Sequence, residues 1–255
     1  MSIPKVKFTN ISLKAEIDGL YGFLFENDMG WGKYIIRKHP KIKYVLSLKT
    51  KKERILFFKK YIIDFRKENA DRIEANKIKY NKKWQMIENK YFKLLSGIMD
   101  IDWPKNRKII TAEISINTIC PRFLDEWSFS IFYNYKKLSH AMETIMHETC
   151  HFLYFEKWKK IYPNMDIKKF ESPYIEWHLS EIFAPVILND FRVQKLLKQK
   201  AFFYPEHEKI KIDNKKATAY FTDLYIKNMK KGGNFEEFLK QAYKVIKENK
   251  KLFDI

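Results

Sequence analysis

Ala141-Met142-Glu143-Thr144-Ile145-Met146-His147-Glu148-Thr149-Cys150-His151-Phe152-Leu153-Tyr154-Phe155 is the stretch from which the rest of the chain is read. At its centre, from His147 to His151, stands the pattern H-E-x-x-H. Side chains four residues apart lie one above the other on an α-helix, so both imidazoles can reach one metal ion. Glu148, beside the first of them, can then face a water at that ion.

This geometry requires a helix. Leu138, Ala141, Ile145 and Phe152 fall on one stripe, with Met142, Met146 and Leu153 beside it, and no Gly or Pro interrupts residues 136–162. The spacing predicts a half-buried helix from about Tyr135 to Lys159 with the histidines at its middle. Burying two imidazoles and a carboxylate together is costly without partners, which favours a ligand role over a plain core role.

A third ligand is sought downstream. Ser172 is a good N-cap and Pro173 suits a first helical position, so Pro173 to Leu188 reads as a helix carrying Glu176, His178 and Glu181. Glu176 falls in the first turn, where the helix dipole alone explains an acid, and it is the second choice. Glu181 precedes Ile182, Phe183, Ala184, Val186, Ile187 and Leu188, and a carboxylate in that company needs a cation or strong donors. Pro185 cannot donate to the Glu181 carbonyl, which predicts a kink. Asn189 and Asp190 are candidate partners for an imidazole N–H. Two imidazoles and one carboxylate, His147, His151 and Glu181, favour zinc, one ion per chain, with Glu148 as general base.

The motif together with an acidic residue on a later apolar helix resembles a gluzincin-type zinc metallopeptidase, a zincin-like group whose third ligand is a glutamate on a downstream helix. The layout of the resemblance covers roughly Ile109 to Asp190. It implies a peptide or protein substrate and a small sheet whose edge strand pairs with an extended peptide. No H-x-x-G-x-x-H continuation follows His151, so the metzincin branch is disfavoured. Cys120 lies upstream, where peptide deformylases place a ligand, but the signatures of that group are absent. A donor to the developing oxyanion is also required, and Tyr174, His178, Tyr204 and His207 are the candidates.

Around this centre the period changes. Ile110, Ala112, Ile114 and Ile116 alternate with polar residues, as does the run from Trp127 to Tyr133, predicting an antiparallel pair directly before the metal helix. Thr50 to Ile98 reads as mostly helical, with the polar interval from Arg66 to Asn76 as either a turn or the exposed middle of one long helix. Towards the end, helices of about Lys216 to Lys231 and Phe235 to Phe253 are separated by Gly232-Gly233, with Asn234 as an N-cap. His39, among Arg37, Lys38 and Lys41, reads as a solvated loop residue. The expectation is therefore a predominantly helical α+β chain: a helical N-terminal region over 1–100, and a zincin-like region over 101–255 with a small sheet, the H-E-x-x-H helix and a helical C-terminal lobe.

Composition bounds the alternatives. The 255 residues carry a net charge of +19, which admits nucleic acid as a partner. Of the 50 basic residues, however, 43 are Lys and 7 are Arg, and lysines spread along a chain are weaker grounds for phosphate or base recognition than an Arg cluster. A basic nucleic-acid or ribosome-associated binding protein with a structural or vestigial metal site is the alternative to peptide-bond hydrolysis, and hydrolysis of a non-peptide amide is a third reading. Two cysteines, Cys120 and Cys150, form no disulfide framework and suit a reducing compartment. With no apolar leader and no apolar stretch of membrane-spanning length, the expected location is cytoplasmic.

Overall fold

The computed structural model describes residues 3–26 and 30–253. Strand β1 (Lys5–Asn10) is followed by helices α1 (Leu13–Tyr21), α2 (Gly32–Lys38), α3 (Lys51–Glu68), α4 (Ala70–Gln85) and α5 (Glu88–Met99). Strands β2 (Ile109–Ser115), β3 (Arg122–Phe123) and β4 (Ser128–Phe132) then lead into α6 (Leu138–Ile161). After α6 come α7 (Ile175–Leu188), α8 (Phe191–Leu197), α9 (Pro205–Lys209), the short strands β5 (Lys211–Ile212) and β6 (Lys215–Lys216), α10 (Ala217–Lys230) and α11 (Phe235–Glu248). The chain is thus predominantly helical with a small mixed sheet. It divides into two compact units, one built from Lys5–Met86 with Ile109–Ile145, the other from Ile87–Lys108 with the chain from Met146 onward. Each unit draws on both sides of residue 100.

In the first unit the sheet order is β1-β2-β4-β3. β1 runs parallel to β2 with Lys5 opposite Ile109, and β2 runs parallel to β4 with Thr111 opposite Ser128. The expected antiparallel pair is therefore corrected: β2 and β4 point the same way, and only β3 pairs antiparallel to β4. The physical reason lies in the connection 116–127. It is long enough for a parallel crossover, and it spends part of its length on β3, so the chain reverses twice rather than once. All five residues of β4 are buried, as expected for a strand covered on both faces.

Thr50 and Glu53 form a reciprocal capping box that starts α3, which ends at Asn69. The polar interval is thus a break between two helices. Buried Glu16 on α1 accepts hydrogen bonds from the Ser115 hydroxyl (2.6 Å) and the Ile116 amide (2.7 Å), and pairs with the Arg66 guanidinium. His39 is corrected from a solvated loop residue to a buried one. Its Nε2 donates to the Ile116 carbonyl (2.8 Å) and its Nδ1 accepts from the Tyr61 hydroxyl (2.9 Å), and burial lowers its pKa.

In the second unit every residue of α7 is buried. Phe183 meets Tyr154 of α6 at 5.8 Å and Phe238 of α11 at 4.6 Å between ring centroids, while Trp158 of α6 meets Tyr243 of α11 at 4.9 Å. Each large apolar side chain buried in this way contributes about 1.5–3 kcal/mol. Asn234 and Glu237 cap α11 reciprocally, as the sequence indicates. Ser172 and Pro173 do not begin α7. They are joined by a cis peptide bond, and Tyr174 is the N-cap. Pro185 lies inside α7, which continues through it to Leu188.

Candidate metal centre

The long helix α6 and the buried helix α7 supply the site. The rings of His147 and His151 lie 4.7 Å apart between centroids, as side chains four residues apart on one helix should. Facing them, Glu181 places Oε2 at 3.0 Å from His147 Nε2 and Oε1 at 3.5 Å from His151 Nε2. His151 and Glu181 are almost fully buried, whereas the His147 side chain keeps 15% of its surface exposed, so approach to the cluster is from the His147 side.

Among the described residues these three form a group whose donor atoms all lie within 4.8 Å of one another. Three donors on a tetrahedral zinc ion with bonds of about 2.0–2.1 Å stand about 3.3 Å apart. The imidazole–carboxylate separations, 3.0 Å from His147 to Oε2 and 3.5 Å from His151 to Oε1, lie near that distance, and the group with one donor atom per residue spans at most 4.8 Å, so closing on an ion needs an inward shift of about an ångström. The residues therefore fit a metal ion that takes nitrogen and oxygen donors. Cys150, between the histidines in sequence, is no competitor. Burial first, and then the charges of Glu148 and Glu181, push its thiol pKa far up and keep it protonated. Cys120 approaches the Tyr135 hydroxyl at 3.4 Å and is not among the clustered donors.

Glu148, next to His147, is also buried, with 6% of its surface exposed. Of the candidate donors, Tyr204 brings its ring to 6.4 Å from that of His147 while remaining partly exposed. His178 and His207 pair with each other, Nδ1 to Nε2 at 2.9 Å. Burial, assisted by His178, lowers the His207 pKa to about 4, so it is neutral at pH 7. Tyr174 stands exposed at the start of α7. The second-choice ligand, Glu176, is occupied elsewhere: Tyr243 of α11 donates its hydroxyl to Glu176 Oε1 at 2.7 Å. Asn189 and Asp190 are likewise corrected as imidazole partners. Asn189 Oδ1 accepts from the Ala201 amide and Gln194, and Asp190 caps α8 and holds Arg192 and Tyr225.

Two supports escaped the sequence. Tyr91 of α5, fully buried, donates its hydroxyl to the Met146 carbonyl at 2.5 Å, fixing the backbone immediately before His147. Lys157, with 1% of its side chain exposed, donates to the Asp100 carbonyl at 3.0 Å and lies 3.7 Å from the Glu236 carboxylate. In sequence Lys157 is one lysine among three close together, and only its place on the apolar stripe of α6 could have marked it out.

No protein-family model, no curated protein and no solved structure matches the chain.

Proposed function

We propose that this chain is a zinc-dependent hydrolase of peptide bonds, with His147, His151 and Glu181 holding the ion and Glu148 acting as general base. The observation that carries the reading is the convergence of the Glu181 carboxylate on both imidazoles from a helix buried throughout its length. A buried carboxylate needs compensation, and two imidazoles presenting nitrogen donors to the same point are what a shared ion requires. Bound zinc supplies a Lewis acid that acidifies a water and polarises an amide carbonyl.

The protein side of the reaction falls to its own groups. Glu148 takes a proton from the attacking water and returns it to the leaving amine. Its burial beside His147 keeps competing solvent away from that exchange. Tyr204, partly exposed and with its ring 6.4 Å from that of His147, is the residue to which we assign the hydroxyl that donates to the developing oxyanion. The His178–His207 pair, in which His207 is neutral at pH 7, packs against Tyr204 through His207, with ring centroids 5.8 Å apart, and would hold the tyrosine's position.

The test is hydrolysis of a fluorescence-quenched peptide library by zinc-loaded protein and by Glu148→Gln. The parent cleaves, and the variant binds one equivalent of zinc while losing at least about a hundredfold in rate. A parent that binds zinc but cleaves no peptide overturns the reading. Salt-sensitive nucleic-acid binding that survives Glu148→Gln would then favour the binding-protein alternative.

A further inference from the structure

We propose that the first unit carries a docking surface for an anionic lipid bilayer, formed by the outer face of α3 and by the 3-10 helix Pro40–Ser47 that packs beside it. The proposal needs no metal ion and stands apart from the hydrolytic reading. Helix α3 turns Phe58 and Ile62 into the core. A solvated helix carries polar groups on the opposite side, yet Leu56 and Ile63 stand there exposed. Seven residues apart, they share one face and lie about 10 Å from each other along the axis. Lys52, Lys59, Lys60 and Lys67 are exposed around them.

The 3-10 helix repeats the pattern. Side chains three residues apart eclipse in such a helix, and Ile42 and Val45 are the buried row. Lys41 with Tyr44, and Lys43 with Leu46, form the outward rows. The Tyr44 ring rests against Phe57 of α3 with centroids 5.6 Å apart, which joins the apolar groups of the two elements. Exposure of the four apolar side chains runs from 46% at Ile63 to 61% at Tyr44. Single exposed apolar residues are ordinary; four of them on two contacting elements, each with lysines beside it, mark a surface that meets something both apolar and anionic.

The chemistry of this face selects lipid over nucleic acid. Between Lys33 and Lys60 stand eleven basic residues against the single carboxylate of Glu53, which Thr50 engages in the cap of α3. Among the described residues no carboxylate pairs with Lys41, Lys43, Lys52, Lys59, Lys60 or Lys67. Both arginines of α3, the side chains suited to forked phosphate and base contacts, are engaged within the fold. Arg54 donates to the Leu48 carbonyl at 3.0 Å, and Arg66 donates to the Ile11 carbonyl at 2.8 Å and pairs with Glu16. Leu46, Leu56 and Ile63 present no ring on which a base could stack. Aliphatic groups of this kind enter the boundary between headgroups and acyl chains, while the lysines beside them meet anionic headgroups. The binding is peripheral, since no helix among the described residues is long and apolar enough to cross a membrane.

The experiment is co-sedimentation of the full chain with vesicles of phosphatidylcholine alone, and of phosphatidylcholine with about one third phosphatidylserine, at physiological salt. The chain should partition onto the anionic vesicles only. Lys59→Gln with Lys60→Gln should weaken partitioning at least about tenfold. Leu56→Ser with Ile63→Ser should weaken it at least about fivefold, a loss that a purely electrostatic surface would not show. Lys227→Gln with Lys230→Gln removes the same charge from α10 in the second unit and should stay within about twofold of the parent. The lysine pair and the apolar pair are separate variants, so either decides the question if the other fails to fold. No partitioning onto anionic vesicles, equal loss in the Lys227, Lys230 variant, parent-like binding by the Leu56, Ile63 variant, or binding seen only with oligonucleotides would overturn the proposal.

Discussion

Glu181 Oε2 lies 3.0 Å from His147 Nε2 although the two residues are 34 positions apart, and the same carboxylate reaches to 3.5 Å from His151. Three groups that are costly to bury have thus been brought to one point on two packed helices. Removing zinc by chelation should therefore lower stability as well as metal content. At a free zinc concentration one hundred times the dissociation constant, the ion contributes about 2.7 kcal/mol, which denaturant titration with and without chelator measures.

Glu176 and Tyr243 make a contrasting pair on the same helix. Tyr243→Phe leaves a buried carboxylate without its hydroxyl donor and should cost about 1–3 kcal/mol of stability. Its zinc content should stay that of the parent. Urea unfolding together with elemental analysis separates the two effects.

His207 makes stability depend on pH. Its pKa is about 4 when folded and near 6.5 when unfolded, so between those values the unfolded chain binds more protons. The stabilisation it offers is full above pH 6.5, falls as pH drops, and is lost by pH 4. Between pH 7 and pH 5 the loss should be about 2 kcal/mol. Measured with chelator present, the difference should shrink in His207→Phe.

The buried Glu16 of the first unit depends on Arg66 for its counter-charge. Arg66→Met should cost about 3–5 kcal/mol, because it strands a carboxylate that has no access to water. Calorimetric melting of the variant checks this.

Much of the candidate site was legible in the sequence because it rests on local periodicity. The spacing of His147 and His151, the apolar stripe of α6 and the lone carboxylate of Glu181 among aliphatic neighbours are all visible within about one helix length. What was not legible is non-local. Alternation of Val6 and Phe8 with Lys5, Lys7 and Thr9 carried the signal for β1, but its pairing with β2 spans about a hundred residues. Alternation also says nothing of strand direction, so β2 and β4 were expected antiparallel. His39 looked solvated because its sequence neighbours are charged, whereas its partners, Tyr61 and Ile116, come from elsewhere in the chain. Glu176 is bound by a tyrosine 67 positions away, and no local pattern announces that.

The central claim is that His147, His151 and Glu181 together hold one metal ion. Its most direct test is elemental analysis of protein purified without a metal-affinity tag, with Glu181→Gln and Glu176→Gln alongside. One equivalent of zinc in the parent and in Glu176→Gln, with little or none in Glu181→Gln, is the predicted result. A parent that takes up no metal when zinc is offered at neutral pH, or a Glu181→Gln variant that retains a full equivalent, would contradict it.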